Sequence, residues 1–291
     1  MNKIKIIAAS FALLASFAVH AQGRTGAKAG KDDKKAFSYT WSRTRIDGSR
    51  TGVTSPSAEN WEKALGTVKG KTYYSPSGKT FKGGTVSDVA EIVFAAQPAM
   101  APVKRVVGYS PEAMVRSYPE CALSNLFIDT VMAATEKASG RKVDIGVANF
   151  GGIRVDMPKG EILEDDIMSM FPFKNTIVYV SLKGKDIRAF LESMAAGRFQ
   201  VLGGVRVVAE GGRLVSAEIG GEPIDDERVY GLATISFLLN GGDDLFLARN
   251  AIEILEFPEA DIYDVIMAYI EGETAAGRPV VYKADGRVQI R

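Results

Sequence analysis

Histidine is almost missing from this chain. Its one copy, His20, falls in an apolar N-terminal segment, and none follows it. Residues 21–291 therefore offer no histidine general base, no Ser-His-Asp triad and no histidine-ligated metal site. Cysteine is as scarce: Cys121 stands alone, so no internal disulfide and no Cys/His zinc cluster can form. With no base to activate it, Cys121 reads as a small buried hydrophobe rather than a nucleophile. An excess of one charge is lacking too. The chain has 36 Lys and Arg against 35 Asp and Glu, a net +1, which provides no basic stripe for nucleic acid.

Long apolar runs are limited to the N-terminus. Lys3 and Lys5 precede a run from Ile6 to Val19 that only Ser10 and Ser16 interrupt, and Val19-His20-Ala21 places small residues at the positions that matter for cleavage. This pattern predicts a signal peptide over residues 1–21 that leaves Gln22 first. The run is too short for a confident membrane span, and Gln22 lacks the cysteine of a lipoprotein. A secreted, periplasmic protein with no membrane span after cleavage is expected. Loss of Lys3 and Lys5 leaves 34 basic against 35 acidic residues, a net −1. Residues 22–36 are rich in Lys, Gly and Asp without a large apolar side chain, and read as a disordered tether.

The remaining residues have ample apolar content for a core, at 46% hydrophobic over the chain. Residues 37–84 are rich in turns, with one short helix expected over Ala58–Leu65. Ser77-Gly78-Lys79-Thr80 mimics the end of a phosphate-binding loop, but Tyr73 stands where the first glycine is required, so the match is false. Ser87–Gln97 reads as a helix capped by Ser87 and stopped by Pro98, with Val89, Ile92, Val93 and Ala96 on one face. Helices are also expected over Ser124–Ser139, with Gly140 as terminator, over Lys185–Ala196 and over Glu259–Thr274. Strands are expected over Val143–Ala148, Thr176–Leu182, Val205–Val208, Leu214–Ile219 and Val229–Thr234. Their irregular order predicts an α+β fold, mixed β-sheets flanked by helices, rather than a doubly wound sheet.

Three polar, glycine-rich patches stand out. Asn149-Phe150-Gly151-Gly152-Ile153-Arg154 follows a buried strand, where open sheets place ligands. Its adjacent glycines allow close backbone approach, Asn149 offers a donor and an acceptor, and Arg154 can clamp a phosphate or carboxylate. An ordinary turn whose arginine pairs with Asp156 or faces solvent is compatible with the same residues. In Phe171-Pro172-Phe173-Lys174-Asn175 the proline presents Phe173 from a rigid position, with Asn175 able to read a ring edge. Phe237 precedes Asn240-Gly241-Gly242-Asp243-Asp244, so two phenylalanines on separate loops can sandwich a flat ring while Asp243 accepts a ribose diol. Two core phenylalanines and an aspartate capping a helix would also satisfy the composition.

Taken together, Asn-x-Gly-Gly-Ile-Arg, Pro-Phe-x-Asn and Phe-Leu-x-Asn-Gly-Gly-Asp, in that order, resemble the C-terminal domain of the 5′-nucleotidases. The resemblance covers roughly Val106–Arg291 and leaves residues 37–105 as an N-terminal extension. It implies the layered α/β/β/α arrangement of that domain. It also implies that Phe173 and Phe237 stack on the base, with Asn149, Asn175 and Gly204 near it, that Asp243 holds the ribose and that Arg154 reaches the phosphate. Arg116 stands about one residue from the family's phosphate-contacting arginine. In the segment Glu120–Leu126, Ala122 and Ser124 replace the family's Asn and Gly.

In complete members of that family a metallophosphatase domain supplies two metal ions and a catalytic Asp-His pair. The absence of histidine after His20 therefore implies a binding half, with no catalytic residue or cofactor in this chain. The divalent metals are expected on a separately encoded metallophosphatase partner, and the ligand is a nucleoside 5′-monophosphate or nucleoside. A stand-alone nucleotide or nucleoside binder, a domain kept for protein–protein contacts, and a hydrolase using Asp243 with Asp244 are the alternatives.

Overall fold

A computed structural model describes residues 65–291. The expected signal peptide, the tether, the first part of the 37–105 extension and the Ala58–Leu65 helix up to its last residue lie outside the described residues.

The described chain opens with three short antiparallel strands, β1 (Thr67–Lys69), β2 (Thr72–Tyr74) and β3 (Thr80–Lys82), followed by helix α1 (Thr85–Met100). Here the expectation needs correction. The helix starts two residues earlier, and Ser87 does not cap it: its hydroxyl donates to the Phe81 carbonyl at 2.8 Å and ties the helix to β3. Pro98 lies inside the helix, in its last turn, where only a short 3₁₀ segment follows. The apolar face expected inside is exposed at Val89, Ile92 and Val93, while Ser87, Ala90 and Gln97 are buried.

Strands β4 (Val106–Ser110) and β6 (Gly160–Leu163) form an antiparallel pair. Between them run helix α2 (Ala122–Ser139) and strand β5 (Ile145–Ala148). Helix α2 begins two residues before the expected Ser124 because Cys121 caps it. The Cys121 sulfur accepts from the Ser124 amide at 3.3 Å, and the Ser124 hydroxyl accepts from the Cys121 amide at 2.9 Å. Gly140 ends the helix in the left-handed conformation, as expected. A short helix α3 (Glu164–Met170) leads to β7 (Thr176–Lys183), α4 (Gly184–Ala196), β8 (Val201–Gly203), β9 (Val205–Glu210), β10 (Arg213–Ile219), β11 (Glu222–Pro223) and β12 (Val229–Ile235).

Helix α5 (Ser236–Leu239) precedes β13 (Glu253–Asp261), α6 (Ile262–Ala275) and β14 (Val288–Ile290). The expected helix over Glu259–Thr274 is thereby shortened. Its first residues extend β13, which alternates in burial along residues 253–258 and pairs with β7. Asp261 then caps α6 by accepting from the Tyr263 amide at 2.8 Å.

Two larger sheets organise these elements. One has the order β13-β7-β12-β5-β8, antiparallel except for the parallel β12–β5 pair. The other has the order β11-β10-β9-β14, with β14 parallel to β9. This is the mixed α+β architecture expected. The facing glycines Gly146 and Gly203, paired across β5 and β8, let α2 lie close to the sheet: a Cβ on either would come within 2.8 Å of Ile128 or Met132.

The C-terminal strand is held by charge. The buried Arg287 guanidinium donates to both carboxylate oxygens of Asp129 at 2.7 and 3.1 Å and to both of Asp285 at 3.0 and 2.8 Å. Burial disfavours the charge on Arg287, but these hydrogen bonds outweigh it and raise its pKa. Arg287→Ala leaves two carboxylates without their cation and should lower unfolding stability by about 3 kcal/mol. Urea denaturation at neutral pH checks this, and a loss within experimental error of zero would refute it.

Candidate functional site

Strand direction places the site. Because β12 is antiparallel to β7 and parallel to β5, the ends of β12 and β5 share one sheet edge with the start of β7. The start of β8, antiparallel to β5, joins them there, with Ala148 opposite Val201. The residues just beyond these strands are Phe237, Asn149, Asn175 and Gln200. Four separate chain segments thus deliver side chains to one edge.

Asn149 is buried, and its side-chain amide donates to Asp243 Oδ2 at 2.8 Å. Its Oδ1 is buried without a hydrogen-bond partner. A Cβ on Gly152 would come within 2.8 Å of that oxygen, so the glycine leaves open the space beside it. A buried acceptor of this kind costs about 1–3 kcal/mol unless something donates to it, which is a reason to find it in a ligand site. Gln200 completes a small network. Its Oε1 accepts from the Phe150 amide at 3.2 Å, and its Nε2 donates to Asp243 Oδ2 at 3.4 Å.

Arg154 is exposed, with its guanidinium 5.6 Å from the centre of the Phe173 ring and donating to the Gly151 carbonyl at 3.2 Å. The Arg154 amide donates to Met170 at 2.9 Å, which joins this loop to the end of α3. There Phe171 is buried against Phe127, ring centres 4.8 Å apart, and acts as the anchor. Phe173 projects from the anchored segment and is 46% exposed. Phe237 is equally exposed, so neither ring belongs to the core. Asn175 is half-buried, its amide donating to the Phe173 carbonyl at 2.9 Å and its own carbonyl accepting from Ile262 at 2.8 Å. The Thr176 amide donates to the Ser236 hydroxyl at 3.1 Å, tying the two phenylalanine loops together.

Asp243 and Asp244 both have positive φ, at 50° and 61°, and neither caps a helix. Arg116 reaches the same loop from the β4 side, donating through its guanidinium to the Ile153 carbonyl, while its amide donates to Asp156 Oδ1 at 2.7 Å. Among the described residues no group of three or more His, Cys, Asp or Glu is arranged to hold a metal ion.

Gly204 is the exception. Gly203 pairs with Gly146 near the start of β5, whereas Asn149 lies past the end of that strand. Gly204 therefore sits toward the opposite edge, in a cavity of about 410 Å³ shared with Asp129, Arg206 and Arg287. A Cβ there would lie 2.3 Å from the Asp144 carbonyl, so this glycine, with φ of +68°, serves strand packing instead.

A family model described as 5′-nucleotidase, C-terminal domain, matches residues 102–249. The chain belongs to this family. It is similar to the silent protein UshA(0) of Salmonella typhimurium, 35% identical over 118 residues, covering 39% of this chain and 21% of that protein. An apyrase of Tabanus yao is 30% identical over 198 residues, covering 59% of this chain and 35% of the apyrase. The crystal structure of a 5′-nucleotidase precursor from Thermus thermophilus superimposes with a TM-score of 0.61 at 25% identity, over 76% of this chain and 50% of that one. The match thus takes up about a fifth of UshA(0) and half of the Thermus structure. In this 5′-nucleotidase C-terminal domain the structure gathers Asn149, Arg154, Phe173, Asn175, Phe237 and Asp243 from loops at one sheet edge, with Arg116 against the first of them.

Sequence reasoning missed Gln200 and Tyr118, and gave Phe150 no role of its own within its motif. The Tyr118 hydroxyl accepts from the Phe199 amide at 3.2 Å, and its ring lies edge-on to Phe150 at 5.9 Å. No motif flags Gln200 or Tyr118; the pairing of β8 with β5 brings their segments beside Phe150.

The Phe237 loop depends on Gly242, where a Cβ would come within 2.7 Å of the Phe237 ring and 2.3 Å of its carbonyl. Gly242→Ala should displace that ring together with the loop backbone and lower unfolding stability by about 1–3 kcal/mol. Urea denaturation checks this; an unchanged transition would show that the loop takes up the methyl group without cost.

Proposed function

We propose that this domain binds a nucleoside 5′-monophosphate or nucleoside and presents it to a separately encoded, dimetal metallophosphatase. The observation that carries the binding half is the pair of exposed phenylalanines on tethered loops beside a buried, unpartnered Asn149 oxygen and Asp243. An exposed aromatic pair has the chemistry to stack on a flat base. A carboxylate suits a sugar diol, and Arg154 and Arg116 border the same loop as cations for a phosphate. Phosphate monoester hydrolysis of this kind uses two metal ions. Residues 21–291 contain no histidine to ligate them, which supports supply from outside these residues. The basic, apolar and small-residue pattern over residues 1–21 supports export to the periplasm as the place of action.

Calorimetric titration with AMP, adenosine and a UDP-sugar should show binding. Phe173→Ala combined with Phe237→Ala should weaken it by at least tenfold, given ~1–3 kcal/mol per stacked base. Binding that survives the double substitution would refute the aromatic clamp. Addition of a dimetal metallophosphatase should form a complex by gel filtration and raise the rate of AMP hydrolysis. Nucleotide binding with neither complex nor stimulation would leave a stand-alone binder, and hydrolysis of AMP by the purified chain alone would overturn the division of labour.

A further inference from the structure

Asp243 stands on a loop that does little to orient its side chain. Its backbone is left-handed, it caps no helix, and it is exposed. What holds the carboxylate comes from elsewhere. Two amide donors on two other segments converge on one oxygen, Oδ2: Asn149 Nδ2 at 2.8 Å and Gln200 Nε2 at 3.4 Å. One such bond would leave the carboxylate free to turn about it. A second, longer contact from a different segment limits that rotation, and both amides meet Oδ2 rather than Oδ1.

Gln200 is itself braced. The Phe150 amide donates to its Oε1 at 3.2 Å, so the side-chain amide has one orientation that satisfies both partners. The segment before it is clamped by Tyr118, whose hydroxyl accepts from the Phe199 amide at 3.2 Å and whose ring faces the Arg198 guanidinium at 4.7 Å. Gln200 thus bridges the Phe150 amide of the Asn149 loop and Asp243.

We infer that Gln200 is a positioning residue that sets Asp243 to accept both hydroxyls of a ribose cis-diol, so that the site selects ribonucleosides and ribonucleotides over their 2′-deoxy counterparts. The inference rests on the nucleotide-binding reading above. A diol donates two hydrogen bonds to a carboxylate only when the carboxylate plane is held near one orientation, and small misplacements of such a group are costly. A 2′-deoxy ligand makes one bond and tolerates rotation.

The test is calorimetric titration of the purified protein with adenosine and with 2′-deoxyadenosine. A hydrogen bond to a charged group predicts about a 10–100-fold preference for adenosine in the unmodified protein. Gln200→Ala should reduce that preference to about threefold or less, chiefly by weakening adenosine. Gln200→Glu keeps an acceptor for the Phe150 amide, and so the local fold, but sets a like charge beside Asp243; it should lose the preference too. A wild-type preference retained in both variants would overturn the inference, as would equal losses for the two ligands, which is the mark of a merely structural role. Should the unmodified protein bind neither nucleoside, the nucleotide-binding reading itself fails. If it binds both equally, that reading stands and this inference alone fails.

Discussion

The alternation of strand direction around one parallel pair in the five-stranded sheet decides where everything else can go. Had β5 and β12 run in opposite senses, Asn149 and Phe237 would leave opposite ends of the sheet and could not share a ligand. With the two parallel, and with β7 and β8 antiparallel to them, four connections emerge at one edge. Open sheets place ligands beyond strand ends for the same reason: loops there are free of ladder hydrogen bonds and can be shaped around a guest. The glycine pair Gly146 and Gly203 lets α2 close on this sheet, so the strand ends are carried by a rigid core rather than by the loops themselves.

On that frame the site shows a recurrent division between anchor and presenter. Phe171 is buried against Phe127 while Phe173, two residues on, projects. Leu238 and Leu239 are buried while Phe237 is exposed. Asn149 is buried while Arg154, at the end of the same loop, is exposed. In each case the backbone is fixed by an apolar or hydrogen-bonded neighbour, which lowers the ordering cost when a ligand arrives. The unpartnered oxygen of Asn149 and the left-handed Asp243 store modest local cost at the same place.

Much of the fold was legible in periodicity. The helices over Ala122–Ser139 and Gly184–Ala196 and the strands β7, β9, β10 and β12 follow from apolar spacing and from terminators such as Gly140. Three features misled. Val89, Ile92 and Val93 have helical spacing, but Ser87 ties the helix to β3 and the stripe stays exposed. Pro98 sits in the last turn, where little helix remains to be broken. The β13–α6 boundary depends on Asp261 as a cap and on pairing with β7, a long-range partner that local pattern does not contain.

For the site, adjacent glycines, a proline-fixed aromatic and a paired aspartate drew attention to the patches holding Asn149, Arg154, Phe173, Asn175, Phe237 and Asp243, but residue chemistry alone left a turn, core phenylalanines and a capping aspartate open, and the resemblance of the three ordered motifs to the 5′-nucleotidase C-terminal domain made the choice. The scarcity of histidine excludes a histidine-ligated centre within residues 21–291 by composition alone. Tertiary structure decided the rest. It placed Gly204 toward the far end of β5 and brought Gln200, an ordinary residue in the sequence, beside Asp243 through strand register. Side-chain chemistry is written locally and can be read from one sequence. Which side chains meet depends on strand direction and pairing between distant segments, 94 positions apart for Asn149 and Asp243, and that is settled only when the sheet forms.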